Sequence, residues 1–154
     1  MLRSLRQKSE SKRSRACGLV VFSVGGQRIA ARAEEVGGVS HWPPTMSVPS
    51  ETPFVKSVAR RGKEVLPVFD FAARLNVHVQ GTAPLCLVVK HEDGPMAICV
   101  DEEIPALQMV EPSAVQPYNG PDPDIVATYV GEADRIPVYS LATLGKVGAG
   151  KTST

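Results

Sequence analysis

Apolar, β-branched runs in this chain are short, and a glycine or proline signal closes nearly every one. LVVFSV at 19–24 stops at Gly25-Gly26, and Gln27 to Ala31 reads as the return strand of that hairpin. LCLVVK at 85–90 runs into Asp93-Gly94, with Pro95 to Val100 as its partner strand. Ile125 to Val130 and Arg135 to Tyr139 flank GEAD as a further hairpin. No segment between such breaks is long enough for the helices of a bundle, and strand does not alternate with long helix as a wound sheet requires. Thirteen glycines and thirteen prolines favour the same conclusion, many short elements joined by turns.

The remaining segments fill in the pattern. Ala33 to Val39 holds two further glycines and reads as a one-turn helix or another strand. HWPPTMSVPSETP at 41–53, with four prolines, reads as a loop. Phe54 to Ala59 is a strand, Arg61-Gly62-Lys63 a turn, and Glu64 to Phe69 a strand. Pro67 of that strand belongs at an edge or a bulge, because it offers no N–H to a ladder. Asp70 is placed to cap a short helix over Phe71 to Leu75. Glu102 to Val110 suits either a helical turn or a strand, EPSAVQPYNGPDPD is a Pro-rich loop, and Ser140 caps a short helix reaching Leu144. The fold class is all-β, with about ten short strands in barrels.

Charge separates the body from its flank. Residues 1–17 hold six basic residues against Glu10 alone, whereas the rest of the chain holds eleven against fifteen acids. A basic tail over 1–17 and a mildly acidic body follow. Cys17, Cys86 and Cys99 form no C-x-x-C pair; Cys86 and Cys99 sit in apolar runs as buried thiols, which fits a reducing compartment. No stretch nears the roughly 18 consecutive apolar residues of a membrane span, and no signal-peptide core follows the basic start. The expectation is a cytoplasmic protein.

Motifs for chemistry are weak. GKVGAGKT at 145–152 matches the phosphate-loop pattern G-x-x-x-x-G-K-[ST], but a working loop needs a buried strand before it and a helix after it. Only Ser153 and Thr154 follow, so residues 146–154 read as a solvated tail. His41, His78 and His91 have no metal-ligand spacing and read as surface histidines. Asp101-Glu102-Glu103 reads as a solvated turn at a strand end, and no nucleophile-elbow pattern surrounds any serine. No catalytic set, metal or cofactor emerges, and the chain is not expected to be an enzyme. KSVARRGKE at 56–64 is more pointed. Lys56, Arg60, Arg61 and Lys63 surround one turn with the single acid Glu64, ahead of an apolar strand, a combination suited to docking an acidic partner.

SVARRGKEVLPVFDFAARLN resembles the central signature of the CheW-like domain, the adaptor family of bacterial chemosensory arrays. Arg61-Gly62 falls on the family's Arg-Gly, Val65 and Pro67-Val68 on its V-x-P-V, Asp70 on its Asp and Leu75 on its last Leu. LVVFSVGGQRIAARAEEVGGV is similar to the family's opening hairpin, LCLVVKHEDGPMAICVDEEIPALQMVEPSAVQP to its second half, and IVATYVGEADRIPVYSLATL to its closing hairpin and short helix. The likeness spans residues 18–145.

This resemblance implies two intertwined five-stranded SH3-like β-barrels without catalytic activity. It implies two partners, the regulatory domain of a CheA-type histidine kinase and the cytoplasmic tip of a chemoreceptor, the latter held in a groove between the barrels. The protein-binding residues it points to, with the basic turn, are Val36, Val39, Arg60, Arg61, Gly62, Lys63, Val100 and Asp101. The chain departs from the pattern where the family's acidic residue falls on Gly37 or Gly38, where Arg60 replaces Asn-Leu with one residue fewer, and at Ser57 and Ala72. A lost carboxylate and a gained Arg alter the charge of the groove. The alternative reading is a small β-barrel that binds nucleic acid with help from the basic tail; such barrels need aromatic stacking platforms, and here aromatics are few.

Overall fold

The computed structural model describes residues 16–145. The basic segment over 1–15 and all of the phosphate-loop match beyond Gly145 lie outside the described residues.

The chain opens with β1 (Cys17–Val24) and β2 (Gln27–Arg32), crosses a 3-10 turn (Ala33–Glu35), and continues through β3 (Val36–His41), β4 (Thr45–Ser47), β5 (Val55–Arg61) and β6 (Glu64–Phe69). A short helix α1 (Phe71–Leu75) leads to β7 (Leu85–His91) and β8 (Gly94–Val100). Then come β9 (Ala106–Val110), a 3-10 turn (Pro112–Ala114), β10 (Val115–Pro117), β11 (Ile125–Val130), β12 (Arg135–Tyr139) and a closing 3-10 turn (Leu141–Thr143). The eight strands read from the sequence are all present, and the two segments left open, Ala33 to Val39 and Glu102 to Val110, contribute to β3 and β9. Two more, β4 and β10, are three-residue strands inside the Pro-rich segments read as loops. β1 also begins at Cys17, the last residue of the expected tail.

The strands form two six-stranded sheets, ordered β10-β11-β12-β2-β1-β9 and β3-β7-β8-β6-β5-β4. Each sheet's two edge strands follow one another in the chain: residues 42–44 join β3 to β4, and residues 111–114 join β9 to β10. That short link curls each sheet toward closure and disposes of its edges. The first sheet takes strands from both ends of the described chain and the second from its middle, so the barrels are intertwined.

The two sheets are built on one plan. Read from the other end, β4-β5-β6-β8-β7-β3 repeats β10-β11-β12-β2-β1-β9, with a parallel pair at the same place in each. Leu66-Pro67-Val68-Phe69 in β6 corresponds to Ile136-Pro137-Val138-Tyr139 in β12. Both prolines sit one residue before the parallel ladder begins, at Val68↔Ala97 and at Val138↔Ala30. β6 is thus an interior strand, yet Pro67 lies where no ladder exists on the β8 side, and its missing N–H leaves no bond unmade there.

Both faces of the central strands are covered, which explains runs such as LVVFSV without polar alternation. One face of each sheet lines its own barrel: Leu19, Val21, Ala30, Ile136 and Val138 in the first, Ala59, Leu66, Val68, Cys86, Val88 and Ala97 in the second. The opposite faces meet in the largest cluster, centred on Phe71 of α1. The Phe71 ring stands edge-on to Phe22 (6.4 Å), Phe69 (5.9 Å) and Tyr139 (5.0 Å), each contact contributing about 0.5–1.5 kcal/mol beyond area burial. Asp70 caps α1 as expected, Oδ1 accepting the Ala73 N–H at 3.0 Å, and Asn76 ends it in the left-handed region. Ser140 does not cap the last turn; the Glu35 carboxylate accepts the Leu141 N–H instead, at 2.8 Å.

A second tie joins α1 to the first sheet. Arg74 donates to Asp122 (2.6 Å) and to Asp124 (3.2 Å), just ahead of β11. Desolvation pulls the guanidinium pKa down, but its hydrogen bonds and the two carboxylate charges outweigh that and hold it above its ordinary value.

Candidate functional site

The β5–β6 hairpin turns through Gly62 and Lys63, with Arg61 opposite Glu64 as the last pair of the ladder. Arg61 therefore ends a strand, where the sequence reading had it begin the turn. Gly62 takes φ +61, a conformation that costs other residues roughly 1–2 kcal/mol. A side chain there would touch nothing within 4 Å, so backbone geometry alone demands the glycine. Arg60, Gly62 and Lys63 are exposed; Arg61 is half-buried and 3.9 Å from Glu64, a loose pair of little energetic weight. Burial pushes the Cys86 thiol up while the Arg61 charge and a hydrogen bond from Ser40 oppose it. The Arg60 N–H donates to the Pro44 carbonyl at 3.0 Å, which sets this end of the hairpin beside the residues that follow β3.

β3 and β9 are the corresponding edge strands of the two barrels, and both leave apolar side chains in solvent. On β3, Val39 is exposed while Val36 is half-buried against the central cluster. On β9, Leu107 and Met109 are 66% and 65% exposed, and Ile104 just before it is 79% exposed. β9 pairs with β1, setting Met109 opposite Gly18. A Cβ on Gly18 would meet Ala33 Cβ at 3.3 Å, Met109 Sδ at 3.5 Å and Leu107 Cδ1 at 3.9 Å. The turn that leads into β3 thus lies against β9, and a bare glycine floors the junction. Sequence reasoning missed Leu107 and Met109, though large apolar residues at i and i+2 in a strand are the signal for one shared face.

Two of the residues expected to bind a partner are interior. Val100 is 0% exposed and belongs to the central cluster. Asp101 is 4% exposed, and its carboxylate is fully engaged. Oδ1 accepts from the Gly25 N–H (2.9 Å) and the Gln80 N–H (2.8 Å), and Oδ2 from the Gly26 N–H (2.8 Å). Gly25 and Gly26 both take positive φ, which aims consecutive amides at one carboxylate. This corrects both the docking role and the reading of Asp101 as part of a solvated turn. His91 is a further correction: it is buried, Nε2 pairing with the Leu144 carbonyl at 2.9 Å and Nδ1 accepting the Asp93 N–H at 3.1 Å.

A separate open groove of about 870 Å³ runs between residues 48–53 and the β7–β8 hairpin. Val58, Val65, Pro67 and Met96 line it, and Val65 is 61% exposed. Alternate residues of the EVLPVF strand thus serve different ends: Leu66 and Val68 fill the barrel, Val65 and Pro67 face the groove. No group of three or more His, Cys, Asp or Glu among the described residues is placed to hold a metal ion. No helix among them is long and apolar enough to cross a membrane.

The family model of the CheW-like domain matches residues 18–141, nearly the whole described chain. The chain belongs to the CheW-like domain family. CheW-like proteins are chemotaxis scaffolds and adaptors, generally without catalytic activity, that work by binding other proteins. Among solved structures, the scaffolding protein TtCheW from Thermoanaerobacter tengcongensis has a similar fold, with a TM-score of 0.72 and 14% sequence identity over 85% of this chain and 93% of that one. No curated protein matches significantly. The CheW-like assignment agrees with the intertwined SH3-like architecture; each barrel carries, beyond the five strands expected, one three-residue edge strand.

Proposed function

We propose that this protein is a non-catalytic chemosensory adaptor that couples a CheA-type histidine kinase to chemoreceptors. The observation that carries the reading is the pair of separate apolar surfaces on one two-barrel body. One is the exposed apolar set Leu107 and Met109 of β9 beside the turn that leads into β3, with Val39 exposed farther along that strand; the other is the groove of Val58, Val65 and Pro67. Exposed apolar area gathered in this way marks protein-docking surfaces.

In this reading the receptor tip docks at the junction between the barrels. Leu107, Met109 and Val39 bury apolar side chains of the receptor hairpin, Val36 supports them from beneath, and Arg61 offers its five-donor fork to a carboxylate at the margin. The basic tip of Arg60, Gly62 and Lys63 extends that margin. The kinase regulatory domain takes the other groove. Holding both at once keeps the kinase beside the receptor, where a receptor movement changes kinase output. The protein acts in the cytoplasm, on the inner side of the receptor array.

Titration of the full chain against the kinase regulatory domain and against the receptor tip of the same genome tests this. Binding to each, with Arg61→Glu weakening the receptor arm, is expected. Binding to neither overturns the proposal.

A further inference from the structure

Cys86 of β7 and Cys99 of β8 stand directly opposite one another in an antiparallel ladder. Residues so opposed have Cα atoms about 4.5–5.5 Å apart, within the roughly 4.4–6.8 Å that a disulfide spans. Successive residues of a strand alternate faces, so the pair shares its face with the neighbouring pair Val88↔Ala97. Cys86, Val88 and Ala97 all belong to the second barrel's interior, so both thiols point into one confined space. Cys17, the third cysteine, is opposite Val110 in the other sheet and does not compete.

We propose that Cys86 and Cys99 are a cross-strand dithiol that an oxidised low-molecular-weight thiol converts to a disulfide, and that closure alters the Arg61 face. Cys99 is the entry thiol, because it is partly exposed where Cys86 is buried. It gives its proton to solvent, and the thiolate attacks one sulfur of the small disulfide, breaking that S–S bond. A mixed disulfide forms and one small thiolate leaves. Cys86 then loses its proton and attacks the Cys99 sulfur, expelling the second small thiolate. Two protein thiols are oxidised by two electrons, and the small disulfide is reduced to two thiols that take up the two protons.

The surroundings set the pace and the consequence. Burial, with the neighbouring Cys86, Asp70 and Asp101, pushes the Cys99 thiol up to about 11, so the thiolate is scarce at neutral pH and closure is slow. The Arg60 N–H reaches Pro44 just beyond β3, Cys86 stands opposite Ser40 of that strand in the ladder, and the Arg61 charge acts on its thiol. Drawing its sulfur toward Cys99 removes it from both. The effect on docking rests on the proposed role of Arg61; the bond itself does not.

The test uses the full chain carrying Cys17→Ser, incubated with excess oxidised glutathione across a series of pH values, quenched in acid and digested with trypsin. Cys86 and Cys99 fall on separate tryptic peptides, residues 75–90 and 91–135. The expected product is lighter by two hydrogens and links these peptides, forms about tenfold faster per pH unit below the Cys99 pKa, and reverts with dithiothreitol. A persistent glutathione adduct on Cys99 with Cys86 free overturns the dithiol. So does a folded chain that never loses the two hydrogens while its urea-unfolded form does. Cys86→Ser should stop at the glutathione adduct; the wild-type peptide map decides the matter even if that variant fails to fold. The oxidised chain should then bind the receptor tip with an affinity changed several-fold. Unchanged affinity with the bond present, while Arg61→Glu still weakens the reduced chain, overturns the link to docking and leaves the adaptor reading standing.

Discussion

Asp101 accepts the backbone N–H of Gly26 at 2.8 Å across 75 residues of chain. The same carboxylate holds Gly25 and Gln80, so one side chain at the end of β8 in the second barrel fastens the β1–β2 turn of the first. Removing it leaves three partly buried N–H groups without their acceptor. Asp101→Ala is expected to lower stability by about 3 kcal/mol, and Asp101→Asn by about 2 kcal/mol because one carbonyl acceptor survives. Urea unfolding midpoints measure both, and partner affinity per folded molecule should not change. A neutral Asp101→Ala would show that the clasp contributes nothing.

Gly25 should tolerate no side chain. Its φ is +62, and a Cβ would lie 2.5 Å from Val77 Cγ2 and 3.0 Å from the His78 carbonyl oxygen. Gly25→Ala is expected to cost about 2 kcal/mol from left-handed strain and displaced packing. Gly62→Ala, with similar φ but open space around it, should cost about 1 kcal/mol. The difference between their thermal midpoints checks this.

Alkali should loosen the fold before it unfolds it. Burial raises the Cys99 thiol from 9.0 to about 11 and the Tyr139 phenol from 10.0 to about 12, and it raises Cys86 as well. Each group is neutral when protonated, and the folded state holds these protons more tightly than the unfolded chain. Their contribution is complete below about pH 9 and is lost as pH rises through 11 and then 12. Tyr139→Phe should flatten the upper part of the stability–pH curve, measured by denaturant titration at each pH.

How far these features could be read from the sequence depends on whether their cause is local. The hairpins at Gly25-Gly26 and around GEAD follow from turn chemistry within a few residues, and strands β6, β11 and β12 match their expected bounds. At the β7–β8 hairpin the turn residues are Glu92 and Asp93, with Gly94 opening β8. The repeat of Leu66-Pro67-Val68-Phe69 as Ile136-Pro137-Val138-Tyr139 was present in the letters and marks the parallel pair of each barrel. β4 and β10 left no such trace, since three residues amid prolines carry no periodicity. Asp101 looks from its neighbours like a solvated turn residue; its partners Gly25 and Gly26 are distant in sequence, and no spacing announces them. At the proposed docking surface, Arg61 and Val39 were legible through the family pattern. Leu107 and Met109 became readable only once Ala106–Val110, the second half of that open segment, resolved into a strand.

The junction's apolar residues should matter for binding and little for stability. Leu107 and Met109 are largely in solvent, so Leu107→Asp or Met109→Asp should move the unfolding midpoint within about 0.5 kcal/mol. Receptor-tip affinity should fall by about tenfold or more, as it does when a central apolar anchor is lost. Isothermal titration measures it; undiminished affinity in both variants would place the receptor surface elsewhere.

In the proposed function, one copy of this chain holds kinase and receptor together. Sedimentation of the full chain with the kinase regulatory domain and the receptor tip, singly and mixed, tests it most directly. A ternary complex heavier than either binary one is expected, with Arg61→Glu selectively releasing the receptor. Two binary complexes that exclude each other, or no complex with either partner, would contradict it.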